Sequence, residues 1–386
     1  MTWRTNVVAL ATLVRNKLAS RRFAARVAKR GGIGGAQIAV FFGSDPGKLY
    51  MLDAWLPVLR ELNEQHPVAV IVTRPDTGQA IFDRVDFPIV FADSSGHLDA
   101  AVAAASFKVF LYVNNAEINF RALRFSQVDH VHLGHGESDK DSSVSNHSKA
   151  YDYVLVAGPA GKERLARTLR NFDADARVRM IGRPQLDHTI DVPDAFVTGG
   201  VTVLYAPTWE GDRAATAHGS AVSHGHALIK ALDADPHVTI IFRPHPNSGA
   251  RDTAYGSAVR ALKEALLGTR HFVDDGPWGW QTKAADLCIT DLSAIAYDWL
   301  ATGKPLIVTQ PEGVESTNRL LAETPRLTAS DCAHIRTFVE RQLETPPDLT
   351  DLRTFYLGDT TKGAPTKAFE SFMDSLIPRA WRGFGR

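Results

Sequence analysis

Cysteine is almost missing from this chain. Its 386 residues include two, Cys288 and Cys332, far apart and in no metal or redox spacing. That excludes a disulfide framework and suits a reduced, cytosolic setting. Net charge is missing too: 43 basic residues balance 43 acidic ones, so bulk charge gives no sign of nucleic acid as a partner. No apolar run is long enough to span a bilayer. What remains is an ordinary globular composition, 44% apolar and 22% charged, at a length that predicts two domains.

One local absence matters more. Residues 1–30 contain no acid, but hold Arg4, Arg15, Lys17, Arg21, Arg22, Arg26, Lys29 and Arg30. Apolar residues from Val7 to Val27 interleave with them, which predicts a basic amphipathic helix suited to an anionic membrane surface. A secretory signal does not fit, because the apolar run Val7–Val14 is followed by more Arg and Lys rather than a cleavage-type site. The alternative is a helix that packs on the protein's own surface. The expected location is cytoplasmic, peripheral on the inner face of the cell membrane, with room for a homo-oligomer.

After the glycine-rich joint at 31–35, short apolar strands alternate with helices. "QIAVFF", "VAVIVT", "FPIVFA", "FKVFLYV", "HVHLG", "YVLVAG" and "RVRMIG" make a first series, with "MLDAWLPVLRELNE" and "AGKERLARTLRNF" as helices. "VTVLYA", "HVTIIF", "LCIT" and "PLIVTQ" make a second. This alternation predicts an α/β protein with two Rossmann-like, parallel-sheet domains. The expected boundaries are an arm and linker at 1–35, domains at 36–193 and 194–347, and a helical tail at 348–386 that packs back on the first domain.

In such sheets ligands bind beyond the carboxyl ends of the strands. In the second series those ends carry "PTWEGD", "RPHPN" and "DLSAIAYD". Thr208, Trp209 and Glu210 follow the first strand. Arg243, His245 and Asn247 follow the second, stiffened by two prolines, and arginine grips phosphate bidentately. Asp291, Ser293 and Asp298 follow the third. There the N–H groups of Ser293, Ala294 and Ile295 open a helix, a setting for an anion. Together these residues suggest a bound nucleotide diphosphate.

In the first series, "HVHLGHGESDKD" places His130, His132 and His135 within six residues. H-x-H-x-x-H resembles the metal motif of metallo-β-lactamase-type hydrolases, with Gly134 where those carry aspartate. His224, His226 and Asp139 are further possible ligands. The other reading puts His130 and His132 on one strand face and leaves His135 at a loop tip as a general base. Gly136 then lets the backbone approach a ligand, Glu137 or Asp139 orients the imidazole, and Lys140 faces a phosphate.

These motifs, in order, resemble the CDP-glycerol glycerophosphotransferases, the teichoic-acid primases and polymerases. "HGESDK" is similar to that family's H-G-x-x-x-K element and "IGRPQLD" to its G-x-P-R-x-D element; the three second-domain loops are similar to the remaining elements. The resemblance covers about residues 36–345. It implies a GT-B fold and transfer of glycerol phosphate, or a related alditol phosphate, from a CDP-alditol to a lipid-linked or polymer hydroxyl acceptor, with release of CMP. It also implies His135 as catalytic base, His245 as a pyrophosphate contact and Ser293 at a phosphate; the mechanism expected from these residues requires no metal or other cofactor. Departures are Ala294 for a second serine, Gln185 for an arginine, and "LGHGESDKDSS" for the more usual "WHGTPLK". A GT-B glycosyltransferase using a nucleotide sugar, a zinc hydrolase and a non-catalytic nucleotide-binding scaffold are the competing readings.

Overall fold

The structure, a computed structural model, describes residues 2–137, 144–188, 190–211, 219–310 and 318–377. Its strands are short runs such as Ile38–Phe42 and Val68–Val72, buried at every position. Burial on both faces is what a parallel sheet covered by helices on each side requires.

Two sheets form, and every pairing in them is parallel. The first contains β1 (Ile38–Phe42), β2 (Val68–Val72), β3 (Ile89–Phe91), β4 (Val109–Tyr112), β5 (Asp129–His132), β6 (Tyr153–Val156) and β7 (Val178–Met180). Their order is β3-β2-β1-β4-β5-β6-β7. The second contains β8 (Val201–Ala206), β9 (Val238–Phe242), β10 (Phe272–Val273), β11 (Leu287–Thr290), β12 (Leu306–Thr309) and β13 (Arg326–Leu327). Their order is β10-β9-β8-β11-β12-β13. The chain reverses its direction of growth between β1 and β4, and again between β8 and β11. Those two switch points open the crevices where ligands of such sheets bind.

Local structure differs from the sequence expectation in the first helix after β1. The stretch "MLDAWLPVLRELNE" is two helices, Leu49–Asp53 and Leu56–Gln65. Pro57 cannot donate to the Asp53 carbonyl and its ring crowds that carbonyl, so the helix breaks there. The break turns Trp55 inward, where it is 2% exposed and its Nε1–H donates to the Gly134 carbonyl at 2.6 Å.

The basic arm forms the expected helix, Thr2–Arg30, and of the two settings open to it, its last turns take the packed one. Phe23 lies in the first-domain core, edge-on to Phe82 and Phe91. Gly78 makes room for it, since a Cβ there would meet the Phe23 ring at 2.3 Å. Arg26 pairs with Asp83, and Arg30 donates to the Phe82 and Val85 carbonyls. Arg15, Lys17, Arg21 and Arg22 stay exposed. Among the described residues, no helix is long and apolar enough to cross a membrane.

The end of the chain ties the domains together. Helix Thr350–Leu357 packs on helix Pro159–Thr168 of the first domain and on helix Ala294–Leu300 of the second. Helix Ala364–Leu376 puts Phe369 and Met373 into the first-domain core. Asp187 holds its start, accepting from the Gly363 and Thr366 amides at 2.8 and 2.9 Å and from the Thr366 hydroxyl at 2.7 Å.

Candidate active site

Both switch points carry polar loops, and these face each other. From the first domain come Lys48 and Tyr50 after β1, and His135 and Gly136 after β5. From the second come Thr208–Glu210 after β8, His245 after β9, and Ser293 with Ala294 after β11. The approach is close: a Cβ on Gly136 would sit 3.3 Å from the Ala294 Cβ. Glycine and alanine at these positions let the backbones meet.

The three histidines of the opening motif separate. His130 is buried in β5; its Nδ1 faces the Tyr112 hydroxyl at 2.8 Å and its Nε2 the Phe125 carbonyl at 3.0 Å. Neither nitrogen is left for a metal. His132 stacks on Tyr151 with ring centroids 5.0 Å apart. Of the other suggested ligands, His224 is buried, with Nε2 on the Leu327 carbonyl and Nδ1 on the Ser223 hydroxyl. Among the described residues no three His, Cys, Asp or Glu side chains are grouped to hold a metal ion.

His135 alone reaches the crevice. The residue is exposed, although protein atoms crowd its imidazole on most sides. That crowding, with the Arg183 and Lys48 cations, lowers its pKa to about 4 against a hydrogen bond to the Val113 carbonyl that raises it. The imidazole is therefore neutral near pH 7. One N–H is committed to Val113, so the other nitrogen is an acceptor.

His245 enters from the opposite side. The Asn247 backbone N–H donates to its Nδ1 at 3.1 Å, which leaves the proton on Nε2. Tyr50 stands between the two imidazoles, with ring centroids 5.9 Å from His135 and 6.4 Å from His245. Trp209 stacks on His245 at 6.1 Å, tilted 23°. A line of four rings thus crosses the cleft. Burial raises the Tyr50 pKa, so its phenol stays protonated. Tyr50, Lys48 and Arg183 are absent from the residues expected at the site. "GSDPGK" after the first strand was the available signal, but only the fold brings that turn to His135.

Several of the residues expected at a ligand are held by partners within the protein. Glu137 is buried and pairs with Arg164 at 2.7 Å. Asp291 is 0% exposed; it accepts from the Thr208 amide at 2.6 Å, the Ser220 amide at 3.0 Å and the Thr309 hydroxyl. It ties the β8, β11 and β12 loops together and cannot reach a ligand. Asp298 takes both ends of Arg183, at 3.0 and 3.2 Å, as a buried bridge between domains. Glu210 accepts from the Gly249, Arg251 and Asp252 amides, so it shapes the loop after β9. Arg243 is held by Asp274 and the Gly276 carbonyl. Thr208 is buried and its carbonyl accepts from Tyr255. Ser293 occupies the cap position of helix Ala294–Leu300 without capping it; its hydroxyl lies 3.3 Å from that of Thr290. Ile295 follows in the first turn. Asp139 and Lys140 lie outside the described residues.

A sequence model of the family CDP-glycerol:poly(glycerophosphate) glycerophosphotransferase matches residues 120–319. No curated protein matches the chain in sequence. Solved structures do match in fold. A variant of the wall teichoic acid polymerase TagF soaked with CDPG is 12% identical with a TM-score of 0.58, over 96% of each chain. A glycosyltransferase from Rickettsia africae is 12% identical with a TM-score of 0.57, over 90% of this chain and 100% of that one. UDP-GlcNAc 2-epimerase from Neisseria meningitidis, bound to UDP-GlcNAc, is 12% identical with a TM-score of 0.56, over 88% of this chain and 99% of that one. The two facing parallel-sheet domains are of the GT-B type.

Proposed function

Because this chain belongs to the CDP-glycerol:poly(glycerophosphate) glycerophosphotransferase family, whose model spans more than half of it, residues 120–319, we propose that its cleft transfers glycerol phosphate from CDP-glycerol to a hydroxyl acceptor in teichoic-acid-type polymer synthesis. The observation that carries the mechanism is the pairing of the two histidines across Tyr50. His135 offers an acceptor nitrogen and His245 a donor N–H, each set by a backbone group.

In this reading the free nitrogen of His135 takes the proton of the acceptor hydroxyl. The oxygen attacks the β-phosphorus of the donor, the bond from that phosphorus to the bridging oxygen breaks, and CMP leaves with the electron pair. His245 Nε2–H and the Ser293 hydroxyl donate to the pyrophosphate, with Ala294 and Ile295 N–H groups beside them. Asn247 fixes the His245 tautomer, Trp209 backs its ring, and Lys48 adds positive charge. Such preorganised donors are often the largest contribution to catalysis. The step as written needs no metal. The fold neighbour TagF, solved after a CDPG soak, supports a donor of this kind. The exposed cations Arg15, Lys17, Arg21 and Arg22 support peripheral contact with an anionic membrane.

The test offers the purified chain a panel of CDP-alditols and nucleotide sugars and follows nucleotide release. CMP from CDP-glycerol is expected; release from a nucleotide sugar alone would make the protein a glycosyltransferase. A positioned base contributes roughly 10²–10⁴-fold, so His135→Ala should lower kcat by about that factor while calorimetry shows CDP still bound. Full turnover in this variant would remove His135 from the mechanism.

A further inference from the structure

An in-line transfer puts the phosphorus between the attacking and the leaving oxygen. Here the base for the attacking oxygen, His135, and the donor to the pyrophosphate, His245, come from opposite domains. The side chain that stands between them is Tyr50, its ring centroid 5.9 Å from one imidazole and 6.4 Å from the other. Both contacts are edge-to-face, at 84° and 79°. Tyr50 lies outside residues 120–319, the part of the chain that the family model matches, and no step of the transfer described above uses it.

The local sequence fixes this placement. Asp45 accepts from the Gly47 amide at 3.0 Å and starts the turn Pro46–Lys48 just after β1. The helix Leu49–Asp53 follows, and its Leu49 and Leu52, which share one helical face, are buried in the first-domain core. Tyr50 is off that face and half-buried. Its hydroxyl is unspent. It has no hydrogen-bond partner among the described residues, and it is not one of the polar atoms sealed from water.

Burial keeps the phenol protonated near pH 7, so it meets an anion in the cleft as a donor. A phenolic oxygen stands roughly 2.8 Å from its ring centre and an O–H···O bond adds about 2.7 Å, a reach of about 5.5 Å. That reach is close to both centroid spacings, so a group lying between the imidazoles is within it. The attacking oxygen gives its proton to His135 and needs no second base. Charge gathers instead on the equatorial oxygens of the phosphoryl group, and Tyr50 offers them an O–H from the first domain.

We propose that Tyr50 is a further catalytic residue, whose hydroxyl donates to a non-bridging oxygen of the β-phosphate of the donor. That this phosphate is transferred rests on the transferase reading above; that it meets the hydroxyl is tested by binding alone.

Tyr50→Phe keeps the ring and both edge contacts and removes the oxygen, whereas Tyr50→Leu removes the ring as well. Calorimetry of the full chain with CMP and with CDP reads the contact without chemistry, because CMP lacks the β-phosphate. The wild type should bind CDP more tightly than CMP. Tyr50→Phe should reduce the ratio of the two affinities by about tenfold, the value of one hydrogen bond to a charged group, and leave CMP affinity within about twofold. Its kcat/KM for CDP-glycerol should fall by roughly 10²-fold, as when one donor to transition-state charge is lost. An unchanged ratio in Tyr50→Phe would overturn the proposal and leave the transferase reading standing. So would a loss of activity confined to Tyr50→Leu, which makes Tyr50 a packing residue. CDP bound by the wild type no better than CMP would overturn the contact as well. A wild type that releases no CMP from CDP-glycerol would overturn the transferase reading, while a ratio that depends on the hydroxyl would still support the contact.

Discussion

His135 is placed in the cleft as a neutral imidazole with a pKa of about 4. A base that weak is always available at pH 7 but holds a proton poorly. A bound pyrophosphate brings negative charge beside it and offsets Arg183 and Lys48, so its pKa should rise on donor binding. Two outcomes are expected. CDP binding near pH 5–6 should take up protons, seen as buffer-dependent heats in calorimetry. The acid limb of kcat should lie at higher pH than that of kcat/KM, because the first reports the complex and the second the free enzyme. His132 has the same depressed value, about 4, from burial and from His135. For a histidine whose folded pKa falls below the ordinary 6.5, the unfolded chain takes protons first. Stability is therefore full above pH 6.5 and is lost as pH falls toward 4. His132→Phe should flatten that loss by on the order of 1–3 kcal/mol in denaturant titrations at pH 4.5 against pH 7. An unchanged acid limb would place the proton-linked instability elsewhere.

At the scale of elements, the break at Pro57 shows how a backbone rule reaches the active site. It frees Trp55 to bond the Gly134 carbonyl, and Gly134, with φ of 65°, turns the chain into His135. The amino-terminal helix divides its work. Phe23 anchors it, and Phe23→Ala should cost about 3–5 kcal/mol in denaturant unfolding, as large buried aromatics do. Arg21 and Arg22 lie on the exposed side. Reversing both to Glu should leave the melting curve alone and weaken sedimentation with phosphatidylserine vesicles by at least about tenfold, at about 1 kcal/mol per basic residue. Equal sedimentation of variant and wild type would detach the helix from any membrane role.

At the scale of the molecule, the domains are locked by a buried bidentate pair, Arg183 with Asp298. Asp298→Asn leaves a shielded guanidinium without its counter-charge and should cost about 3–5 kcal/mol of thermal stability. Replacing the pair by Met and Leu should recover much of that loss but not kcat, because Arg183 also sets the charge at His135. Much of this architecture was legible in the chain. Two-sided apolar runs specify parallel strands, since only strands buried on both faces need them, and the two series of such runs give two sheets. The loops "LGHGE", "PTWEG", "RPHPN" and "DLSA" were likewise visible as polar endings to apolar strands. Their division of labour was not. Asp291, Asp298, Glu137 and Glu210 carry the same carboxylate whether they meet a ligand or a backbone amide, and sequence spacing does not say which. Tyr50 and His245 are nearly two hundred residues apart, and the ring of one meets the ring of the other only because two switch points face each other. Local periodicity and turn chemistry, which act over a few residues, lie within the sequence itself. Which polar side chains are left facing the cleft once burial has claimed the rest was decided by tertiary packing alone.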